Sequence, residues 1–317
     1  MNKETGEPKR KWGMPATKDG VAKLSIFAVS LLIVMKIVAS ILTGSIGIRA
    51  DALHSIIDLS GVVIGFIGIR ISGKPSDKEH PFGHGKAENI AGVVIAGLIF
   101  VAAGTIVYEA VKRLISGVAV ELLAIGIYVT LAAIVVNVIV AWLALKVSKS
   151  SDSVALEATG RHLLADVWSS VAVLVGLILV GLTGLTILDP IVALLVAILI
   201  GRTAYLTMRK AFGGLMDMKL PKEEEDVIIT CITEHSNQLV GFHELRTRKA
   251  GNLRYIDLHL VMPKNASVVE AHHVCDQLEQ EIENRLCYTS VTIHVEPCSM
   301  ECDQCSIIYC ALRTINY

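Results

Sequence analysis

Six apolar runs dominate this sequence, at residues 21–43, 45–72, 88–114, 120–147, 153–182 and 186–207. Each is near or above the ~20 residues a helix needs to cross the hydrocarbon of a bilayer. A chain built of such runs is confined to a helical bundle in a membrane, because lipid offers backbone polar groups no partner. The composition agrees, with 53% hydrophobic and 19% charged residues. The stretch before residue 21 is polar and basic, and no small-residue cleavage site follows a short apolar core. The first run therefore reads as a retained span rather than a signal peptide. Lys and Arg gather at the N-terminus, in the 73–86 loop, in the 146–149 link and after the last run. An even-numbered bundle puts these segments on one side, so both termini are expected in the cytoplasm; Lys112 and Arg113 are a minor exception.

After residue 210 the composition becomes that of a small soluble domain, patterned helix (222–236), strand (241–249), strand (253–263), helix (267–286), strand (290–297). In "YIDLHLVM", Ile256, Leu258, Leu260 and Met262 alternate with polar neighbours, the period of a half-buried strand. The expected division is an N-terminal tail (1–20), an all-α six-helix transmembrane domain (21–210), a cytoplasmic α+β domain (211–297) and a Cys-containing tail (298–317). With 29 Lys+Arg against 30 Asp+Glu there is no basic excess to neutralise phosphates, which argues against nucleic acid as a partner.

Ionisable residues inside apolar runs need a reason. "ADALHSIIDLSG" carries His54 and Asp58, and "ATGRHLLADVWSS" carries His162 and Asp166. Each pair is spaced by four, so imidazole and carboxylate share one helix face. Two such helices packed face to face offer two nitrogens and two oxygens, a tetrahedral set that zinc accepts. Unpaired, the two carboxylates oppose insertion by about 5–7 kcal/mol, and a dication removes that penalty. The alternatives are a His/Asp hydrogen-bond pair that joins two helices, or a proton path without metal. Asp51, beside Arg49 near the helix start, is an auxiliary candidate or a local ion pair.

The loop "KPSDKEHPFGHGK" offers Asp77, His80 and His84, one oxygen and two nitrogens, with Gly83 and Gly85 permitting a tight turn; a solvated loop is the alternative. In the soluble domain His259, His294 and Glu296 fall on strand faces opposite the apolar positions and can meet on an uncovered face. His243 starts the first strand and His272 lies early in the second helix. All seven cysteines lie at or after Cys231, which argues against a disulfide framework on the cytoplasmic side. Cys298, Cys302 and Cys305 have ligand spacing, with reduced thiols as the other reading.

The series "GSIGIRADALHSIIDLSG", "HPFGHGKAENIAG", "ATGRHLLADVWSSVAVLVG", "GFHELRTRKAG" and "IHVEPCS", in that order, resembles the cation diffusion facilitators. The resemblance spans nearly the whole chain. It implies export of divalent metal by proton antiport, with His54, Asp58, His162 and Asp166 as the transport site and metal in the Asp77/His80/His84 loop. It implies a homodimer, a ferredoxin-like, metallochaperone-like cytoplasmic domain holding two metal ions, and a charge interlock at Lys86 and Asp217. Glu296 stands where relatives often carry Asp.

The expectation is zinc efflux by alternating access, with Zn2+ as cargo and in regulatory or structural sites, and with protons and the bilayer as partners. Imidazole, titrating near 6.5 unperturbed, suits exchange of metal for protons. Cobalt, cadmium, iron or manganese remain alternative cargoes. No phosphate-cradling Gly-rich loop points to ATP. A membrane metalloenzyme would want an open three-ligand site and a general base, and a non-transporting metal sensor would not need paired intramembrane ligands. The short 148–152 link lacks a His-rich insertion, which suggests a prokaryotic plasma (inner) membrane.

Overall fold

The computed structural model describes residues 17–43, 46–116, 124–185 and 187–299; certain helical side chains within these ranges, those of Asp51, His54 and Asp58 among them, lie outside the described residues. Six long helices come first: α1 (Lys18–Thr43), α2 (Ile46–Ser72), α3 (Lys86–Ser116), α4 (Ala124–Ser151), α5 (Val154–Thr183) and α6 (Leu188–Leu215). Each apolar run of the sequence becomes one of them. Among the described residues, α1, α3, α4 and α6 contain stretches long and apolar enough to cross a membrane, while α2 contributes the shorter stretch Leu59–Ser72. The fifth helix carries Glu157, Arg161, His162 and Asp166 in its first half, which lowers its apolar character.

α1, α2, α5 and α4 close a four-helix ring, each packed on the next, and α3 and α6 pair with one another alongside α2 and α5. Buried Ile95, Ile99, Ala158, Ile200 and Ala204 form the contact between the pair and the ring. At one end of the ring Glu88 is fully buried and accepts from Lys18 Nζ (2.8 Å), Ser72 Oγ (2.9 Å) and Ser153 Oγ (2.5 Å). One carboxylate on α3 thus joins α1, α2 and the start of α5, with donors that offset its desolvation. The sixth helix runs on to Leu215, past the expected end at residue 207. Its last turns pack on α3, where the Asn89 amide donates to Ala211 O at 3.2 Å.

The soluble domain follows as α7 (Lys222–Glu234), β1 (Gly241–Ala250), β2 (Leu253–Met262), α8 (Val268–Arg285) and β3 (Thr289–Pro297). The sheet order is β1-β2-β3, with β2 antiparallel to β1 and parallel to β3. The parallel pair requires a crossover, which α8 supplies. Ile256, Leu258, Leu260 and Met262 alternate inward against Ile228, Ile232, Leu278 and Ile282 of the two helices. Each such side chain contributes about 1.5–3 kcal/mol of burial. The eighth helix begins with a capping box, in which Ser267 Oγ accepts from Glu270 N and the Glu270 carboxylate from Ser267 N. The helices cover one sheet face only, and the other face is where the histidines lie.

The two parts meet at the tip of the β1–β2 hairpin. Gly251 takes φ +63°, a left-handed conformation that favours glycine, and its N donates to the buried Asn89 Oδ1 at 2.8 Å. A Cβ on Gly251 would collide with Gly85 O, and one on Gly85 with Ala250 O, so hairpin and loop touch backbone to backbone. Arg254 ties the junction from the other side. It makes a bidentate pair with Glu224 (2.7 and 2.9 Å) and donates to Asp152 in the α4–α5 link at 2.7 Å.

Candidate functional site

The second and fifth helices run antiparallel along a seam of small residues. A Cβ on Gly61 would lie 3.1 Å from both Cδ2 and Nε2 of His162, one on Gly65 would collide with Thr159 Oγ1, and one on Gly68 would lie 3.7 Å from Ala155. Small residues let two helices approach this closely. His162 is 1% exposed. Asp166, one turn further along α5, is partly buried and lines a cavity of about 70 Å³ at the centre of the ring. Lys36 of α1, Ser55 of α2, Asn137 of α4, and Ser169 and Ser170 of α5 also line it. Positions 54, 58, 61, 65 and 68 continue one stripe of α2 by helical spacing. The backbone of His54 and Asp58 therefore lies on the stripe that meets α5; their side chains, like that of Asp51, are outside the described residues.

In the 73–85 loop, Asp77, His80 and His84 come together with ligand atoms all within 4.8 Å of one another. Asp77 Oδ1 accepts from Glu79 N (3.0 Å) and His80 N (2.7 Å), and lies 3.2 Å from His80 Nδ1. Asp77 Oδ2 lies 3.4 Å from His84 Nε2. The backbone hydrogen bond from His80 outweighs partial desolvation and, with the bonds from the His80 ring and Glu79 N, holds the Asp77 carboxyl below the ordinary aspartate range. Gly83, at φ +77°, turns the chain so that His84 comes back to Asp77. The His84 Nδ1 atom is buried without a hydrogen-bond partner among the described residues.

On the open sheet face the register sets His243, His259 and His294 side by side, one per strand. Glu296 lies between them, 3.1 Å from His243 Nε2, 3.0 Å from His259 Nδ1 and 3.7 Å from His294 Nε2. Desolvation pushes the Glu296 carboxyl up, but the hydrogen bonds and charges of His243 and His259 outweigh it and leave its pKa below the usual glutamate value. The longer glutamate side chain still reaches both imidazoles. His272 stands apart on α8, 76% exposed at its side chain, with Nδ1 3.7 Å from Asp276. Cys298 is buried and its N donates to Met262 O at 2.9 Å, extending the sheet. Cys302 and Cys305 lie outside the described residues.

Lys86 Nζ meets Asp217 Oδ1 at 3.0 Å, and Arg248 reaches the same oxygen at 3.4 Å. The hydrogen bond from Lys86 holds the Asp217 carboxyl low against some desolvation, with the charges of Lys86 and Arg248 adding to it. Arg248 also stacks 4.4 Å from the Tyr255 ring centroid, and Tyr255 Oη donates to Phe82 O at 2.6 Å. Phe82 lies between His80 and His84, so the loop cluster and the sheet share a wall.

Comparison with known proteins decides what these groupings belong to. Residues 22–216 match the cation efflux transmembrane domain, and residues 220–298 match the cation efflux protein cytoplasmic domain. The chain belongs to the cation efflux family. An uncharacterised transporter of Synechocystis sp. is 38% identical over 276 residues, covering 87% of this chain and 89% of its own length. The cation-efflux pump FieF of Salmonella typhi is 34% identical over 273 residues, covering 86% of this chain and 90% of the pump. A solved structure of CzrB in its Zn form is 35% identical and covers 26% of this chain and 92% of that one, with a TM-score of 0.25. Family membership makes the chain a multi-pass membrane transporter for divalent cations rather than an enzyme, and its two domain matches support metal transport and homodimer formation.

For a cation efflux protein, several residues at the groupings above escaped the sequence reading. Glu244, at φ +52° in a bulge of β1, brings its carboxylate to 3.7 Å from His259 Nε2. Period-2 counting does not anticipate a bulge. Lys36 carried a usable signal, a lysine deep in an apolar run. Asn89, Asp152 and Arg254 carried none, because their partners are remote in sequence.

Proposed function

We propose that this cation efflux protein exports zinc from the cytoplasm by proton antiport, through alternating access at His54, Asp58, His162 and Asp166. The observation that carries the reading is the α2–α5 seam. His162 is buried against Gly61, and the antiparallel register of Gly61, Gly65 and Gly68 brings position 58 level with Asp166 when continued along α2. Two imidazoles and two carboxylates make a closed four-coordinate set, suited to zinc and unlike an open catalytic centre. Imidazoles that give up a proton to bind metal, and regain it on the far side, couple metal flux to the proton gradient. Six spanning helices with both termini and the ferredoxin-like domain in the cytoplasm of a bacterial inner membrane complete the reading. In a homodimer the sheet-face cluster and the Asp77/His80/His84 loop bind metal to report cytoplasmic zinc rather than to carry it.

The test is initial flux of zinc, cobalt, cadmium, iron and manganese into proteoliposomes, with and without an opposing proton gradient. Zinc should move fastest and the gradient should accelerate it; equal rates without gradient dependence would overturn antiport. His54→Asp should lower the preference for zinc over cadmium and manganese, because oxygen in place of nitrogen hardens the site. An unchanged ranking in competition assays would contradict that assignment.

A further inference from the structure

Lys36 stands well inside α1, and its Nζ donates at 2.7 Å to Ser55 Oγ, next in sequence to His54. It shares the central cavity of about 70 Å³ with Asp166, Asn137, Ser169 and Ser170, so that polar side chains from all four ring helices face one small space. Ser169 and Ser170 follow Asp166 along α5, away from His162 and from the soluble domain. Leu163 and Asp166 line it too, so the cavity begins level with the His162/Asp166 pair and extends away from the soluble domain. A lysine within a spanning helix is costly and is kept where it faces a cavity or an opposite charge. Such a side chain near a helix end would ordinarily extend to the interface. This one turns inward to Ser55.

A carrier with two ligand carboxylates loses a double positive charge whenever its cargo leaves, and bare carboxylates in a low dielectric resist the return to the loading state. A fixed ammonium beside them acts in two ways. It repels the bound dication, which loosens the metal, and it balances the emptied carboxylates. We propose that Lys36 is the tethered counter-cation of the transport site, setting how tightly metal is held and how readily the emptied site returns. This rests on the reading of His162 and Asp166 as metal ligands. The ammonium acts by its charge, on the dication and on Asp166, and is not itself a ligand.

The test uses the full chain with Asp77→Ala and His259→Ala, so that the cytoplasmic clusters contribute little to zinc binding. Zinc affinity is measured in detergent and zinc flux in proteoliposomes, for Lys36→Met, Lys36→Arg and, as a second neutral variant, Lys36→Gln. At an effective dielectric of about 20, removing a charge that shares a small cavity with a dication's ligand changes an equilibrium constant by roughly tenfold or more. Lys36→Met should therefore lower both Kd and KM by about tenfold or more and lower kcat as well, because release becomes slow. Lys36→Arg should stay within about twofold of the parent. In a double-mutant cycle the effect of Lys36→Met on Kd should shrink once Asp166→Asn removes the carboxylate. Unchanged Kd and KM in both neutral variants would overturn the proposal. So would equal loss of flux in Lys36→Met and Lys36→Arg at unchanged Kd, which marks a scaffold role. A parent that binds zinc but moves none would refute the transport reading, while the Kd shift would still decide the role of Lys36.

Discussion

His162 is 1% exposed and faces a glycine across a helix seam, whereas the His243 and Glu296 side chains, 44% and 36% exposed, stand on an open sheet face. Both places gather imidazole and carboxylate, but their surroundings would give a metal ion different work to do. Within the bundle the proposed ligands lie along the contact between two helices, so filling or emptying a site there would bear directly on how α2 and α5 pack. On the sheet, the strands hold His243, His259 and His294 in register, and metal bound there, as proposed, would not have to pass through anything. A buried pair between movable helices suits a carrier, and an exposed cluster on a fixed sheet suits a sensor. The hairpin that carries His243 and His259 ends at Gly251, docked on Asn89 of α3, which would give the proposed sensor a mechanical route to the bundle.

Among variants that leave the proposed ligands in place, the largest effect is expected from disturbing the seam. In Gly65→Val the added side chain collides with Thr159 and forces the helices apart. Misplacing reacting groups by ~1 Å commonly costs about a hundredfold in rate, and zinc flux should fall by a similar factor. Gly97→Val, where an added Cβ meets nothing within 4 Å, should transport normally. Equal flux from the two variants would remove the seam from the account.

The sheet cluster should give a smaller change of a different kind. His259→Ala with His294→Ala is expected to move the cytoplasmic zinc needed for half-maximal flux by roughly 5- to 150-fold, the range of a coupling of about 1–3 kcal/mol, while maximal flux persists. Superimposable activation curves would make this cluster structural only. Next comes the junction. Arg254→Gln removes charge-assisted hydrogen bonds to Glu224 and Asp152, and should lower thermal stability by about 2 kcal/mol, read as an earlier unfolding of the soluble domain. An unshifted transition would mean that Arg254 only rests at the junction.

The smallest effect belongs to Lys86 and Asp217. This half-exposed pair contributes at most about 1 kcal/mol. Since the Asp217 pKa is depressed in the folded protein, the contribution is present above the unfolded value of 3.8 and is lost as pH falls through the lower folded value. Lys86→Ala should therefore change the unfolding temperature slightly and equally from pH 5 to pH 8, with the difference vanishing in strong acid. A difference that grew between pH 5 and pH 8 would point to another titrating partner.

The bundle was legible in the sequence because apolar length and four-residue His/Asp spacing are local signals, and helices preserve local spacing. The alternation of Ile256, Leu258 and Leu260 exposed β2 in the same way. The junction was not legible. Asn89 finds Gly251, and Arg254 finds Asp152, across more than 100 residues. The end of α6 is not marked in the sequence, because its last turns leave the apolar run yet keep helical partners on α3. His272, which the resemblance places with the metal-binding histidines, lies exposed on α8 on the covered side of the sheet, apart from the other three in the same chain. Glu244 was hidden by the bulge that delivers it.

The central claim is that metal crosses at the α2–α5 seam and not at the soluble domain. The direct measurement compares zinc flux at saturating cytoplasmic zinc for Asp166→Asn and for His259→Ala with His294→Ala, in vesicles that hold equal amounts of folded dimer. The account predicts no flux above protein-free vesicles for Asp166→Asn and undiminished maximal flux for the double variant. Flux through Asp166→Asn, or its loss in the double variant with the dimer intact, would contradict it.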